Sequence, residues 1–536
     1  MSEEDYKNEE PIVETTHGKI RGKLLHGIYG DPYYCFESVP YAASPLGPHR
    51  FKSPRPLQPW TGIRECTITG PVCLQLYNNK LVGSEDCLNL SIYVKLLRSS
   101  KPLPILVYVH GGMFKRGDYT RRDWGPDYLM QEELIVISVG HRLGAYGFLS
   151  FPDDPTLEVS GNAGLKDIIC ALRWIKANAS NFNGDPMNIT LGGHSSGSIS
   201  VQWLLASSQT EGLFHRAILQ GGYGPESQCL PNIAYRLAVQ QGYQGPNESR
   251  FIFEYLKGLP SEQLADFHAL TDEEKNMGLL IAFAPVVEAS WCNDAVVTSE
   301  PVLAQRTSWS NHIPLLLGAT ENESLYSSYG KYTKDPTFYE KIHSEPQRKL
   351  PNVLQWRCPL ELQHLLGKQL LAVHIGRLCE AIELDSYNLV YHNMHRFVES
   401  RRRYSTQPVY LQRFAMDSRK FSFYRNRALG DVFIPGVGHA DELLFLFHRP
   451  GFSVAVCKNS DEYKTMRRMV SMWSAFITRG NPNTPEIEPQ LWSPVDPTSA
   501  YKCLNVDREL TLIESPEYRK NLVRDGWYKQ AELPLY

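Results

Sequence analysis

Residues 188–206 read NITLGGHSSGSISVQWLLA. A short apolar stretch, residues 188–191, runs into Gly192-Gly193-His194-Ser195-Ser196-Gly197. A helix-forming stretch, residues 198–206, follows. The order strand, glycine-rich turn, helix decides the fold reading. Gly193, Ser195 and Gly197 form G-x-S-x-G. In that pattern the serine sits on a tight, strained turn, and a bulkier neighbour at either glycine would strike adjacent backbone. The helix N-terminus beneath Ser195 supplies partial positive charge where an oxyanion would form. A chance Gly/Ser turn gives the same five residues. The flanking strand and helix favour a presented nucleophile.

Upstream, residues 104–109 (PILVYV) read as a second buried strand. It ends in His110-Gly111-Gly112-Met113-Phe114. Small residues there let the backbone approach a carbonyl and aim N–H groups at it. His110 is read as fixing this loop by hydrogen bonds, not as a base. His194, next to the nucleophile, is a better candidate for a tuning role, but a tight turn points it away from the Ser195 side chain, so it is read as a packing residue. Residues 134–139 (LIVISV) and 313–317 (IPLLL) add strands. Residues 166–179 are helical in pattern, with Ile169, Leu172 and Ile175 on one face, and residues 466–477 form a later amphipathic helix. Continuous apolar strands between helices imply a large, mostly parallel sheet covered on both faces, with chemistry at the strands' carboxyl ends.

Composition narrows the field. The 536 residues carry 55 basic and 58 acidic side chains, a net charge of −3, which gives no electrostatic case for nucleic acid. Arg401, Arg402 and Arg403 form a short basic run, read as a solvated loop. No run of 18 or more apolar residues occurs, so no transmembrane helix is expected. The N-terminal MSEEDYKNEEPIVE is acidic and lacks an apolar core, which gives the expectation of an intracellular, cytoplasmic protein. The 11 cysteines are scattered, and neither C-x-x-C nor H-E-x-x-H occurs, so neither a disulfide framework nor a metal site is expected. No repeat or linker divides the chain. The expectation is one domain over residues 1–536, with residues 1–10 flexible.

Together with Phe36-Glu37-Ser38-Val39-Pro40-Tyr41-Ala42, Ser84-Glu85-Asp86-Cys87-Leu88, His141-Arg142-Leu143-Gly144 and Gly161-Asn162-Ala163-Gly164-Leu165-Lys166-Asp167, these stretches resemble the type-B carboxylesterase/cholinesterase family of α/β-hydrolases. The likeness runs from about Pro11 to Trp527. The phrases GPDYLM, NAGLKD, ALRWIKANASNF and GHADEL resemble insect alpha-esterase-type carboxylesterases, including members that lack a signal peptide. The resemblance implies the α/β-hydrolase fold, a large, mostly parallel central sheet flanked by helices. It also implies a catalytic acid within residues 317–324. Glu321 and Glu323 compete, and the family spacing of strand, Gly, four residues, Glu selects Glu323. The implied base is His439, in Gly436-Val437-Gly438-His439-Ala440-Asp441-Glu442. Asp441 and Glu442 are expected to face elsewhere. The chain order Ser195, Glu323, His439 fits the fold. The implied oxyanion donors are the N–H groups of Gly112, Met113 and Ser196.

The departures from the family pattern are as telling. Met113 stands where a third glycine is usual, so its side chain enters or rims the pocket, and a positive φ there would strain it. His194 replaces a usual acid before the nucleophile, and Gly221 replaces a serine that supports the triad. The segment between Cys73 and Cys87 matches the early disulfide loop of cholinesterases but lacks the tryptophan that binds quaternary ammonium, which argues against that activity. In a reducing cytosol those two cysteines are expected to be thiols. Phe114, Leu279 and Ile281, with Leu280, are the apolar candidates for the substrate pocket. Arg50 and Glu85 match a structural ion pair.

The resemblance thus implies a serine hydrolase for carboxylic esters with apolar acyl groups, acting through an acyl-enzyme and needing no metal or organic cofactor. Two alternatives stay open. One is a slow-turnover, sequestering esterase, favoured by Met113, His194 and Gly221. The other is a non-catalytic binding protein on the same fold, disfavoured by the intact triad. The partner expected is a small-molecule ester. Peripheral contact with lipid stays open, and the sequence does not specify an oligomeric state.

Overall fold

The computed structural model describes all residues except 1–9, 79, 228–229, 266–269, 277–278, 280, 335–336, 374–377, 422, 430–433 and 450–456. The flexible stretch expected at residues 1–10 therefore lies outside the described residues but for Glu10, which pairs with Arg21 at 2.9 Å. So does Leu280 of the proposed pocket.

Eleven strands form one sheet. In chain order they are β1 (Lys23–His26), β2 (Pro32–Pro40), β3 (Asn89–Val94), β4 (Leu103–Val109), β5 (Ile135–Val139), β6 (Gly184–His194), β7 (Arg216–Gln220), β8 (Leu315–Thr320), β9 (Val409–Phe414), β10 (Lys502–Val506) and β11 (Leu510–Glu514). Their spatial order is β11-β10-β9-β8-β7-β6-β4-β5-β3-β2-β1. The run from β10 to β5 is parallel throughout, and the strands at both ends are antiparallel. The sheet is therefore mixed, with the parallel block at its centre. Strand order reverses between β4 and β6, and a parallel sheet opens its ligand crevice at such a point.

Both faces of the central strands are buried, which is why they read as unbroken apolar runs. Along β4, Ile105, Val107 and Val109 point into one core, and Leu106 and Tyr108 into the other. Helix α1 (Ala163–Asn178) covers the first face with Leu165, Ile168, Ile169, Leu172 and Ile175. It contains the predicted apolar face and starts three residues earlier than the pattern indicated. Helix α2 (Ser196–Ala206) adds Val201, Trp203, Leu204 and Leu205 on the same side. Helix α3 (His392–Tyr404) packs beyond it. Helix α4 (Asp461–Arg479) covers the opposite face with Met466, Met469, Val470, Trp473 and Phe476. Each such fully buried side chain contributes about 1.5–3 kcal/mol. The ends of α4 are set locally: Ser460 caps Tyr463 N–H at 3.2 Å, and Gly480 takes the left-handed turn after the last residue. Helix α5 (Tyr518–Gln530) lies near the chain's end. No described helix is long and apolar enough to cross a membrane.

Three ion pairs tie these layers together. Arg50 meets Glu85 through two hydrogen bonds of 2.9 and 2.6 Å, as the motif implied. Arg142 meets Asp167 of α1 through 2.8 and 2.7 Å bonds, both side chains fully buried. Lys166, the neighbour of Asp167, pairs with Glu288 at 2.8 Å.

Two expectations need correction. The arginine run is no solvated loop: it closes α3, where Arg401 is buried and donates to Ser310 O at 2.6 Å and Asn311 Oδ1 at 2.9 Å. Helical phase decides this, because Arg401 stacks on Phe397 one turn earlier. Cys73 and Cys87 are joined as a disulfide where thiols were expected.

Candidate active site

The carboxyl ends of β4 and β6 lie side by side at the reversal point. Strand β6 ends at His194, and α2 begins at Ser196. Ser195 between them has φ 56° and ψ −125°, a region closed to most side-chain-bearing residues and worth about 1–3 kcal/mol of strain. Steric crowding explains the flanking glycines. A β-carbon at Gly193 would lie 2.5 Å from Gly197 O, and one at Gly197 would lie 2.2 Å from Val109 O. Ser195 N–H donates to Gln220 O at 2.8 Å, which locks the turn onto β7.

The acid arrives from β8. Glu323 Oε1 accepts from Thr320 N–H at 2.8 Å, and its Oε2 lies 2.6 Å from His439 Nδ1. Glu321 turns away and pairs with Arg413 at 2.9 Å, so of the two candidates Glu323 is the one that reaches His439. The acid loop is pinned from outside by Tyr391, whose hydroxyl donates to Thr320 O at 2.9 Å. Ser386 Oγ accepts from Ser324 N–H at 3.0 Å. Asn322 N–H donates to Val437 O at 2.9 Å, which couples the acid loop to the histidine loop.

His439 Nε2 lies 2.9 Å from Ser195 Oγ. The three side chains named from sequence therefore meet in one line: hydroxyl, imidazole, carboxylate. The Glu323 side chain is 1% exposed and that of His439 is 34% exposed, so the carboxylate is sealed while the imidazole meets the crevice.

Asp441 and Glu442, expected to face elsewhere, make no hydrogen bond or ion pair with the His439 ring among the described residues, and both are buried. Ala440 adopts a left-handed φ of 75°, and the 3-10 turn Asp441–Phe445 that follows buries both acids. Asp441 Oδ2 accepts from Gly438 N–H at 3.0 Å and from the Tyr326 hydroxyl. Burial pushes the Asp441 carboxyl up to about 7. Glu442 Oε1 lies 3.4 Å from His194 Nε2.

The loop after β4 turns through positive φ at Gly112 (129°), Met113 (59°) and Phe114 (55°). Met113 thus meets the condition under which strain was expected, and its left-handed conformation costs about 1–2 kcal/mol for a residue with a β-carbon. The loop lies hard against the elbow: a β-carbon on Gly111 would lie 2.6 Å from His194 O. The N–H groups of Gly112, Met113 and Ser196 donate to no protein group among the described residues. Phe114 is buried, edge-on to Phe148 at 4.9 Å, and its carbonyl accepts from Gly144 N–H at 2.6 Å. Leu279 is buried in the same apolar core, and Ile281 packs against it.

His110 is fixed as expected. It is buried, its Nδ1 lies 2.9 Å from Gly111 O, and its ring stacks on His141 at 4.6 Å. Burial and the neighbouring ring push His141 down to about 3, and burial also lowers His110, so neither suits a general base. No group of three described His, Cys, Asp or Glu residues is arranged to hold a metal ion.

The model of the Carboxylesterase family matches residues 9–523. Esterase B1 of Culex pipiens is 30% identical over 97% of this chain and 98% of its own length. A juvenile hormone esterase of Tribolium castaneum is 29% identical over 89% of this chain and 85% of its own. The crystal structure of juvenile hormone esterase from Manduca sexta, with OTFP covalently attached, superposes with a TM-score of 0.85. It is 28% identical and covers 97% of this chain and all of that one.

Proposed function

The chain belongs to the carboxylesterase family and is a carboxylic ester hydrolase of α/β-hydrolase fold, and on that premise we propose that it works through an acyl-enzyme on Ser195. The observation that carries this reading is the unbroken contact from Ser195 Oγ through His439 to Glu323.

Ser195 Oγ attacks the ester carbonyl while His439 Nε2 takes its proton. Glu323 holds the Nδ1–H tautomer and stabilises the imidazolium. The N–H groups of Gly112, Met113 and Ser196 receive the oxyanion, and losing one such donor typically costs about 3 kcal/mol. His439 then protonates the leaving alcohol, and water activated by the same imidazole releases the acid. No residue calls for a metal or organic cofactor in these steps. The substrates proposed are small esters with apolar acyl groups, received by Phe114, Leu279 and Ile281. The hormone named for two of the relatives belongs in the panel of long apolar esters to assay.

A fluorophosphonate probe with peptide mapping tests the nucleophile. One adduct at Ser195, absent in Ser195→Ala, is the expected result. Labelling at another residue, or none on folded protein, overturns the assignment.

Met113 favours a second reading, slow turnover after fast acylation. A strained donor loop does not relax as the acyl-enzyme is hydrolysed. Pre-steady-state kinetics with an activated aryl ester separates the two: a burst followed by steady release supports the first, and a burst alone supports the second.

A further inference from the structure

Beneath the Ser195–His439–Glu323 line lies a second imidazole–carboxylate contact. His194 Nε2 stands 3.4 Å from Glu442 Oε1, with the two side chains 4% and 1% exposed. The His194 ring lies 4.6 Å from the His439 ring, inclined at 41°. His194 Nε2 and both Glu442 oxygens have no hydrogen-bond partner of good geometry among the described residues. Gly221 borders both acids' surroundings: a β-carbon there would lie 3.1 Å from His194 Nε2 and 3.3 Å from Glu323 Oε1. No side chain at position 221 therefore stands between this contact and Glu323. The other titratable groups that face Glu442 are Asp441 on its own turn and the hydroxyls of Tyr108, Tyr223 and Tyr424. No described lysine or arginine forms an ion pair with Glu323 or Glu442.

We propose that His194 and Glu442 hold one proton between them and carry no net charge at working pH, which leaves Glu323 as the single buried negative charge facing His439. This inference rests on the triad reading above. Two carboxylates that share a buried site do not both ionise. An ionised Glu442 beside a neutral His194 would set a second negative charge near Glu323. A protonated His194 beside a protonated Glu442 would set a cation against the imidazolium that His439 becomes. One shared proton avoids both. The directions agree: burial, then the Glu323 charge, raises the Glu442 carboxyl, and burial lowers the His194 imidazole. The proton thus rests on Glu442, whose carboxyl lies against His194 Nε2 at 3.4 Å. His194 is a positioning residue: it seats this proton and offers its ring face to His439.

Charge counting tests the pair. The acid limb of kcat/KM for an activated aryl ester reports the His439 titration in the active protein. The NMR titration of the same ring in Ser195→Ala reports it without turnover. His194→Gln and Glu442→Gln exchange neutral for neutral, and both midpoints stay within about 0.3 pH units of the parent. His194→Glu gives two carboxyls one shared proton and a net negative charge, and it raises both midpoints by about one unit. If the midpoint is unmoved in His194→Glu, His194 only packs, and the proposal fails. A fall of about one unit in Glu442→Gln means an ionised Glu442 in the parent. A rise of that size in His194→Gln means a charged His194. Either result overturns the pair. Should the His194 variants not fold, infrared spectroscopy decides: Glu442→Gln must remove a protonated-carboxyl band present in the parent at neutral pH, and an unchanged spectrum contradicts the proposal. Absence of hydrolysis defeats the triad reading alone, because the NMR titration still reports on the pair.

Discussion

The Ser195 elbow and the Gly111–Phe114 loop do the same work by opposite means. Both turn the backbone through positive φ. At the elbow, steric crowding compels the glycines: β-carbons at Gly193 or Gly197 would lie 2.5 Å or 2.2 Å from backbone oxygens. In the loop, Met113 and Phe114 hold φ of 59° and 55° with side chains in place. The elbow is limited by space. The loop is limited by space at Gly111 and Gly112, where β-carbons would lie 2.6 Å from His194 O and 1.9 Å from Arg116 O, and only by conformational energy at Met113 and Phe114. Space is not negotiable, whereas conformational energy can be supplied by packing such as that of Phe114 on Phe148.

The largest expected effect breaks the elbow. Gly197→Ala forces a β-carbon into Val109 O and His110 O, at 2.2 and 2.6 Å. We expect loss of more than about 4 kcal/mol or no folded protein, read by chemical denaturation. A stable, active Gly197→Ala protein would show that the elbow has slack. Next, Arg142→Leu strips the partner from the buried Asp167 and should cost about 3–5 kcal/mol. The same change loosens the turn that holds Gly144 N–H on Phe114 O, so activity falls together with the denaturation midpoint. Met113→Gly sharpens the comparison by its sign. It relieves a left-handed residue and should stabilise the protein by up to about 1 kcal/mol, net of glycine's entropy. It should also widen acceptance of bulky esters, seen as higher kcat/KM for branched over straight substrates. Destabilisation by Met113→Gly would mean that the side chain's packing outweighs its strain.

The last effect is one of slope. Asp441 titrates at about 7 in the fold, against about 3.9 in an unfolded chain. Between those values the folded state binds the extra proton, so this group's stabilisation is full below pH 4 or so and is lost as pH rises through about 7. Asp441→Asn cannot release a proton. Its stability relative to the parent should rise from pH 5 or so to about 7, followed by thermal melts. A constant difference would place the Asp441 titration elsewhere.

What could be read from the sequence follows from how local each cause is. The elbow and the Gly111–Gly112 turn were legible because a glycine requirement shows in adjacent residues. The buried strands were legible because both faces are covered. Glu323 and His439 needed the family's spacing, since nothing within either loop distinguishes them. The burial of Asp441 and Glu442 was illegible, because it depends on Ala440 entering the left-handed region and on the 3-10 turn that follows. No residue type demands that. Arg401 was misread for a similar reason: its burial depends on the phase of α3 against Ser310, not on its neighbours in the run.

A mutant cycle on Ser195 and His439 probes most directly whether they act as one unit. Ser195→Ala and His439→Ala should each remove on the order of 10⁴-fold or more of kcat, and the double variant should lose no more than the worse single one. Losses that multiply would mean that the two side chains act independently, and the acyl-enzyme account would fall.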